Sequence, residues 1–257
     1  MCVTRASGGL TAAVRVMPTR LPDPVAVGVP QALLDAACSP NGIIIVSGQT
    51  GSGKTTVAMM LLEHLNARSP VHILTIEDPV GIRLQPKQAV IRQQSVGTDT
   101  PSYSAALRSA MRQDPDVIFV GEVRDLVTLE ACVTAADTGH LVVTQVHASS
   151  PQEVIQRVVE VHPEELRAPF RRRLAQTLRA VSVQKLLPLA KGPGLTAAFG
   201  VLIPDKEMRQ AIADGRNVTD RASALPAGCQ NLADDIRRLA KEGAVTQQAA
   251  EAALASL

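Results

Sequence analysis

The stretch GQTGSGKTTVAMMLLEHL, Gly48 to Leu65, decides the fold, and it follows directly on the apolar run GIIIVS. Its glycines can adopt backbone conformations closed to residues with a Cβ, so the loop can turn successive N–H groups toward an anion. The run that follows has the pattern of a helix, whose N-terminus adds a partial positive charge to those donors. The stretch therefore predicts a phosphate-binding loop, with a glycine-rich structural turn as the alternative.

Within this stretch, GQTGSGKT satisfies the pattern GxxxxGK[ST] of a nucleotide-binding P-loop. In that pattern Lys54 reaches the β/γ-phosphates, and the hydroxyl of Thr55 binds Mg²⁺. The predicted nucleotide-binding residues form one continuous run: Gly48, Gln49, Thr50, Gly51, Ser52, Gly53, Lys54, Thr55 and Thr56.

Composition limits the function further. The 257 residues suffice for one sizeable core with a small appendage. The formal net charge is +2, and the chain has one Tyr, three Phe and no Trp, which argues against direct binding of nucleic acid. No apolar run approaches the about 18 residues that span a bilayer. The cysteines contain no CxxC pair, so we expect reduced, inert thiols without zinc and a cytoplasmic protein; they are Cys2, Cys38, Cys132 and Cys229.

Short apolar runs alternate with helical patterns, which is typical of a parallel sheet with crossover helices. Strands are predicted at Ile43–Val46, Val71–Ile76, Val117–Val120 and Leu141–Val146. Helices are predicted at Asp125–Asp137, Asn231–Lys241 and Thr246–Leu257, the last two with their first residues as N-caps. The predicted class is α/β, with a parallel-rich sheet flanked by helices and a small C-terminal helical region. We divide the chain into three regions, residues 1–35, a core at residues 36–220 and the C-terminal helical region at residues 221–257.

Carboxylates follow two of the predicted strands. Glu77 and Asp78 come just after the second strand, and Glu122 comes just after the third. Ligands of open α/β sheets collect outside the carboxyl ends of the strands, so these side chains should lie near the phosphate loop. One carboxylate can organise the water shell of Mg²⁺, while another orients or deprotonates the water that attacks the γ-phosphorus. The alternative is that each carboxylate caps a following helix.

Two histidines, His140 and His147, flank the fourth predicted strand. Their odd offset along the strand points the side chains to opposite faces, so we do not expect a shared metal. An imidazole at the carboxyl end of the strand can contact the γ-phosphate, which suits His147. For His140 a packed or capping role is an equal alternative.

Four motifs resemble, in order, those of the PilT/GspE-type secretion and type IV pilus motor ATPases. GQTGSGKTT, ILTIEDP, ALRSAMRQDPDVIFVGEVRD and TAADTGHLVVTQVHAS look like the Walker A, Asp box, Walker B and His box of that family. RVMPTR resembles the closing strand of its N-terminal domain, and GCQNLADDIRRLAKEGAVTQQAAEAALAS its C-terminal helical pair. The resemblance covers nearly the whole chain, and the absence of CxxC pairs favours the PilT-like branch.

The resemblance implies a RecA-like P-loop ATPase core that hydrolyses ATP with Mg²⁺ inside a homo-oligomeric ring, expected to be a hexamer. Residues 1–35 would then be a remnant of the N-terminal domain and a linker. The motor would power type IV pilus retraction or assembly, or secretion, and would act at the inner membrane through a platform protein. By resemblance, Glu77 helps to hold the water of the metal, Glu122 is the base, and His147 contacts the γ-phosphate.

The chain departs from the family pattern at Gln49, where the family often has Pro, and in VGIRL, which lacks the usual acidic residue. Family members supply arginines across a subunit boundary from an N-terminal domain. Candidate arginine contacts, each with a solvated or salt-bridged helix face as its alternative, are Arg15, Arg20, Arg108, Arg112 and Arg124. We read the run 171–173 as a solvated face.

Other functions stay open at this point. They are a nucleic-acid-stimulated motor with the same core, a small-molecule kinase, and a nucleotide-binding assembly subunit without turnover. The direction of work and the load are not encoded in these motifs.

Overall fold

The computed structural model describes residues 2–13, 20–123, 125–218 and 225–257. They form a seven-stranded sheet with helices on both faces, preceded by a two-stranded antiparallel hairpin. The strands are β1 (Cys2–Ala6), β2 (Gly9–Ala13), β3 (Gly42–Ser47), β4 (His72–Glu77), β5 (Val90–Ser95), β6 (Val117–Val120), β7 (Leu141–Val146), β8 (Leu178–Pro188) and β9 (Leu195–Leu202). The helices are α1 (Pro24–Val27), α2 (Gln31–Ala37), α3 (Lys54–Asn66), α4 (Tyr103–Ala110), α5 (Leu126–Asp137), α6 (Pro151–Glu160), α7 (Glu164–Thr177), α8 (Lys206–Asp214), α9 (Leu232–Lys241) and α10 (Gln247–Leu254).

The strand order of the large sheet places the phosphate loop near its middle. The order is β5-β4-β6-β7-β3-β8-β9, and every pair is parallel except β8 with β9. All residues of β3, β6 and β7 are buried, which explains why these strands read as continuous apolar runs rather than alternating ones. The carboxyl ends of β6, β7 and β3 therefore lie side by side at one edge of the sheet.

Hydrophobic cores cover both faces of the sheet. Ile44 and Val46 of β3 pack with α2 and α3 on one face. Ile43 and Ile45 belong to the core of the other face, to which α4 through α10 contribute. Because successive strand residues point to opposite faces, the single run IIIV serves both cores. None of the helices in the described ranges combines the length and the apolar composition that crossing a membrane requires.

The predicted α/β class is confirmed. The four predicted strands correspond to β3, β4, β6 and β7, and the helix predicted from Asp125 is α5. Asp125 caps α5 by accepting from the backbone N–H of Thr128 at 2.8 Å. Asn231 and Thr246 cap α9 and α10 as expected.

Helix α9 covers the outer edge of the sheet at β9. Asp235, 3% exposed, accepts from the backbone N–H of Phe199 at 2.8 Å, and Ile236 joins the same core as Ile43. An exposed strand edge invites pairing with other chains, so the helix protects it. The division of the chain at residues 35 and 220 stays a prediction, and residues 14–19, which include most of RVMPTR, lie outside the described residues.

Candidate functional site

The phosphate loop leaves the carboxyl end of β3 and is held in place by β8. Gly48 has a φ of 141°, and a Cβ there would lie 2.5 Å from both the carbonyl oxygen of Gln184 and Ser52 Oγ. Gly53, with a φ of 85°, forms the N-cap of α3 directly before Lys54. The side-chain amide of Gln184 donates to the carbonyl of Ser52 at 2.7 Å. These two glycines are therefore required by close approach and by positive φ.

Lys54, His147 and Glu122 form one hydrogen-bonded chain across the ends of β3, β7 and β6. Lys54 Nζ lies 3.3 Å from His147 Nδ1, and His147 Nε2 lies 2.9 Å from Glu122 Oε1. An ammonium only donates, so Nδ1 accepts, and the Nε2 hydrogen is donated to the carboxylate. The contact fixes the imidazole in its Nε2-protonated tautomer between a cation and an anion.

The charge of Lys54 is held inside the protein. The residue is 8% exposed, and Nζ also donates to the carbonyls of Gly48 at 3.0 Å and Gln49 at 2.9 Å. Burial lowers the pKa of Lys54, and the negative charge of Glu122 opposes this shift. The loop thus presents a buried cation beside backbone N–H donors, an arrangement suited to phosphate.

Thr55 contacts a residue that sequence reasoning missed. Its hydroxyl donates to Gln145 Oε1 at 3.2 Å, which leaves the lone pairs of Thr55 Oγ1 available for a cation. Gln145 is 4% exposed and lies on β7 two residues before His147. The available signal for this residue was a glutamine inside a short, fully buried strand whose other residues are apolar except for Thr144.

Glu77 is buried at the end of β4, with 3% exposure. Its Oε1 accepts from Thr75 Oγ1 at 2.7 Å and from Gln93 Nε2 at 3.1 Å, and its Oε2 accepts from the backbone N–H of Gly81 at 3.3 Å. These contacts fix the segment between β4 and β5. The structure therefore brings Lys54, Thr55, Glu122 and His147 together, while Glu77 bonds to its own strand, to β5 and to the segment that follows β4.

The capping alternative for the carboxylates disagrees with the geometry. The N-cap of α5 is Asp125, whereas Glu122 bonds to His147. The element after Glu77 is the strand β5 rather than a helix. Neither glutamate caps the helix or element that follows it.

His140 lies at the start of β7, at the opposite edge of the sheet from the phosphate loop. Its Nδ1 donates to the carbonyl of Ala135 at 3.1 Å, in the last turn of α5. This contact matches the packed or capping alternative.

Cys132 is fully buried, and burial together with the charge of Asp125 raises the pKa of its thiol to about 12.

Three of the five candidate arginines lie in the part of the chain that the structure describes, and their roles stay predictions. Arg20, Arg108 and Arg112 are exposed, and the guanidinium of Arg112 donates to the carbonyl of Arg108 at 3.1 Å. Arg15 and Arg124 lie outside the described residues.

The interpretation of residues 171–173 as a solvated face is wrong for Arg173. This arginine pairs with Glu130 and Asp137 of α5, each at 2.8 Å, because α7 packs against that helix. Of the three arginines, Arg172 is exposed, and Arg171 is half-buried.

Two cavities flank the candidate site. One of about 160 Å³ lies between the loop 48–52, β8 and the end of the chain at Leu257. The other, of about 470 Å³, adjoins Glu122 and His147 and extends to Val158 and Val161 near the end of α6.

Comparison with known proteins shows which family this chain resembles. A model of the type II/IV secretion system protein family matches residues 29–238. The uncharacterized protein YggR of Escherichia coli K12 is 38% identical over 208 residues, which are 81% of this chain and 64% of YggR. The type IV pilus retraction ATPase PilT of Pseudomonas aeruginosa PAO1 is 36% identical over 244 residues, which are 93% of this chain and 70% of PilT.

A solved structure is similar over nearly the whole chain. The crystal structure of the pilus retraction motor PilT with bound ADP superposes with a TM-score of 0.91 at 35% identity, covering 98% of this chain and 72% of that one. The chain spans about two thirds of the length of the curated relatives it matches. With its matched fold and its phosphate loop, the chain belongs to the family of type II/IV secretion system proteins.

Proposed function

We propose that this chain is an ATPase that hydrolyses ATP to ADP and phosphate as part of a ring motor. The observation that carries the proposal is the row of hydrogen bonds Lys54–His147–Glu122, which joins the phosphate loop to a carboxylate. A binding protein needs the cation and the loop, whereas hydrolysis also needs a base near the terminal phosphate. The ADP in the PilT structure supports the same ligand class for the loop.

In the proposed mechanism, the N–H groups of residues 48–56 and the ammonium of Lys54 bind the phosphates. Glu122 orients and deprotonates the attacking water. His147, which donates to Glu122, holds that carboxylate in place; in the proposed contact with the γ-phosphate, the imidazole turns a ring N–H toward the phosphate instead. The low exposure of Lys54 strengthens its attraction for phosphate, because little water screens the charge.

Mg²⁺ is the proposed cofactor, and the oxygen ligands suit it. Mg²⁺ takes few protein ligands and keeps several waters in nucleotide sites. The Thr55 hydroxyl donates away its hydrogen and keeps its lone pairs, and Glu77 is the proposed holder of a metal-bound water. No group of three or more His, Cys, Asp or Glu in the described ranges is placed to bind a metal; a site made of one hydroxyl, phosphate and water does not require such a group. When bound, Mg²⁺ would neutralise charge on the phosphates.

The proposed assembly is a homo-hexameric ring in the cytoplasm, peripheral to the inner membrane through a pilus or secretion platform protein. The names of the relatives support type IV pilus retraction or secretion as the work done. In this assembly a neighbouring subunit supplies arginines, with Arg15, Arg20, Arg108, Arg112 and Arg124 as the candidates. The core 36–220 carries the site, and residues 221–257 form the C-terminal helical region.

Phosphate release from ATP tests the proposal, measured with Mg²⁺, with EDTA, and with added single-stranded DNA or RNA. The expected result is turnover that requires Mg²⁺ and is indifferent to nucleic acid. Stimulation by DNA or RNA would indicate a nucleic-acid motor instead. ATP binding without phosphate release at any protein concentration would indicate an assembly subunit without turnover.

A further inference from the structure

Gln145 combines a buried amide with contacts to both halves of the candidate site. Its side-chain Oε1 accepts from Thr55 Oγ1 at 3.2 Å, and its backbone carbonyl accepts from the N–H of Val123 at 3.1 Å, next to Glu122. In the sheet it pairs with Val46, just before the phosphate loop. The residue thus joins the start of α3 to the segment after β6.

Apart from the bond to Thr55, the side-chain amide of Gln145 is poorly satisfied. Gln145 Nε2 is buried and has no hydrogen-bond partner among the described residues. Buried polar atoms are nearly always paired, since an unpaired one lowers stability. The only side-chain bond of Gln145 in the described part of the chain is the one to Thr55, so this glutamine contributes to the site at the expense of the fold.

We propose that Gln145 is a positioning residue that orients the Thr55 hydroxyl toward Mg²⁺, and this inference rests on the proposed ATPase function. With its hydrogen donated to Oε1, the hydroxyl oxygen of Thr55 has its lone pairs free for the cation. Residues that orient a metal ligand in this way typically change metal affinity by about tenfold to a hundredfold when they are replaced. Gln145 therefore sets the Mg²⁺ concentration that tight nucleotide binding requires.

The test measures binding of a nonhydrolysable ATP analogue to the full chain as Mg²⁺ is titrated, together with the melting temperature without nucleotide. Gln145→Met keeps the volume of the side chain and removes the amide. We expect the Mg²⁺ concentration for half-maximal binding to rise about tenfold or more, while the melting temperature stays equal or increases. A purely structural glutamine would show the reverse pattern, with lower stability and unchanged Mg²⁺ dependence.

Gln94→Met is the matched control. Gln94 is also a buried glutamine with an unpaired amide atom, but it lies on β5, three strands away from β7. Its replacement should leave the Mg²⁺ dependence unchanged. An equal rise in the control would overturn the inference, because the effect would then be general to buried glutamines.

A double-mutant cycle separates action through Thr55 from an independent effect. In a Thr55→Val background, Gln145→Met should raise the Mg²⁺ requirement by less than twofold, because its partner is already gone. Additive effects would contradict the inference. If the wild-type chain binds no ATP analogue at any Mg²⁺ concentration, the proposed function itself fails, whereas binding that ignores Gln145 removes the inference alone.

Discussion

Lys54 uses its three donors on atoms of its own chain: the carbonyls of Gly48 and Gln49 and the imidazole of His147. These acceptors are neutral, and a hydrogen bond from an ammonium to phosphate is stronger. We therefore expect the phosphates of ATP to displace them. When nucleotide binds, His147 therefore loses its contact with Lys54, and His147 is also bonded to Glu122.

Replacing Lys54 by Ala should lower ATP affinity at least about tenfold, since the buried cation of the loop is lost while the glycine backbone remains. Titration calorimetry with a nonhydrolysable ATP analogue measures this effect. Lys87→Ala is the control, because Lys87 is an exposed lysine paired with Glu63 near the end of α3. Unchanged affinity in a folded Lys54→Ala protein would mean that the phosphates bind elsewhere.

Sequence reasoning found the phosphate loop from its motif and found Glu77, Glu122 and His147 from their positions at strand ends. It missed the contacts that depend on which strands are neighbours. The loop glycines, Lys54 and Thr55 are neighbours in the chain, so a motif describes them. Gln145 meets Thr55 only because β7 lies beside β3, and Glu77 meets Gln93 only because β5 lies beside β4. Neither pairing is visible in a single sequence without knowledge of the sheet order.

At the scale of elements, Glu130 is one of two carboxylates of α5 that pair with Arg173 of α7. Glu130 accepts from Arg173 and from the buried His162, both at 2.8 Å. Burial raises the pKa of Glu130, but the hydrogen bonds and charges of Arg173 and His162 outweigh it and hold the pKa below its ordinary value of 4.5. A carboxylate with a depressed folded-state pKa stabilises the protein above its unfolded-state pKa.

Glu130→Gln should therefore reduce the free energy of unfolding at pH 7 by about 1 kcal/mol, a value discounted because Glu130 is 37% exposed. The difference from wild type should shrink as the pH falls below about 4.5 and through the lower folded-state pKa. Wild-type Glu130 is then protonated and therefore as uncharged as the glutamine of the variant. Urea unfolding at a series of pH values measures it. A difference that stays constant down to pH 3 would contradict the ionic role of Glu130.

Asp235 should be the residue through which α9 is fixed to the sheet edge. Asp235→Ala leaves the buried N–H of Phe199 without its acceptor and removes one of the two carboxylate partners of Arg238, so we expect a loss of about 2 to 3 kcal/mol of stability. The neighbouring Asp234→Ala is the control. Asp234 is 71% exposed and paired with Arg237, and its loss should cost under about 0.5 kcal/mol in the same urea experiment. Equal losses would mean that α9 is held by its apolar face alone.

The elements that were predicted are those with strong periodicity or continuous burial. β5 was missed because its sequence VIRQQS is largely polar and half-buried. β8 was missed because it follows α7 without a break and carries polar residues among apolar ones, whereas β9 was missed although the sequence GPG at 192–194 marks a turn before it. Their strand conformation is stabilised by pairing with β3 and with each other, which are long-range contacts.

At the scale of the whole molecule, the arginines decide whether one chain is sufficient for hydrolysis. The family resemblance implies arginines from a neighbouring subunit, and an arginine supplied in trans is worth about 10³ to 10⁵ in the rate of P-loop enzymes. We therefore expect specific ATPase activity to rise with protein concentration. Inactive Glu122→Gln subunits mixed into wild type should lower activity more steeply than their mole fraction. Activity that is independent of concentration, with a linear loss on mixing, would mean that each chain acts alone.

The most direct measurement compares ATP binding and phosphate release in Glu122→Gln and Glu77→Gln. Gln keeps the shape and the hydrogen-bonding reach of Glu122 but removes its charge and basicity. We predict that Glu122→Gln binds ATP within about threefold of wild type, while its turnover falls about 10²- to 10⁴-fold. If Glu77→Gln abolishes turnover and Glu122→Gln does not, then Glu122 is not the base and the chain Lys54–His147–Glu122 is not the hydrolytic centre.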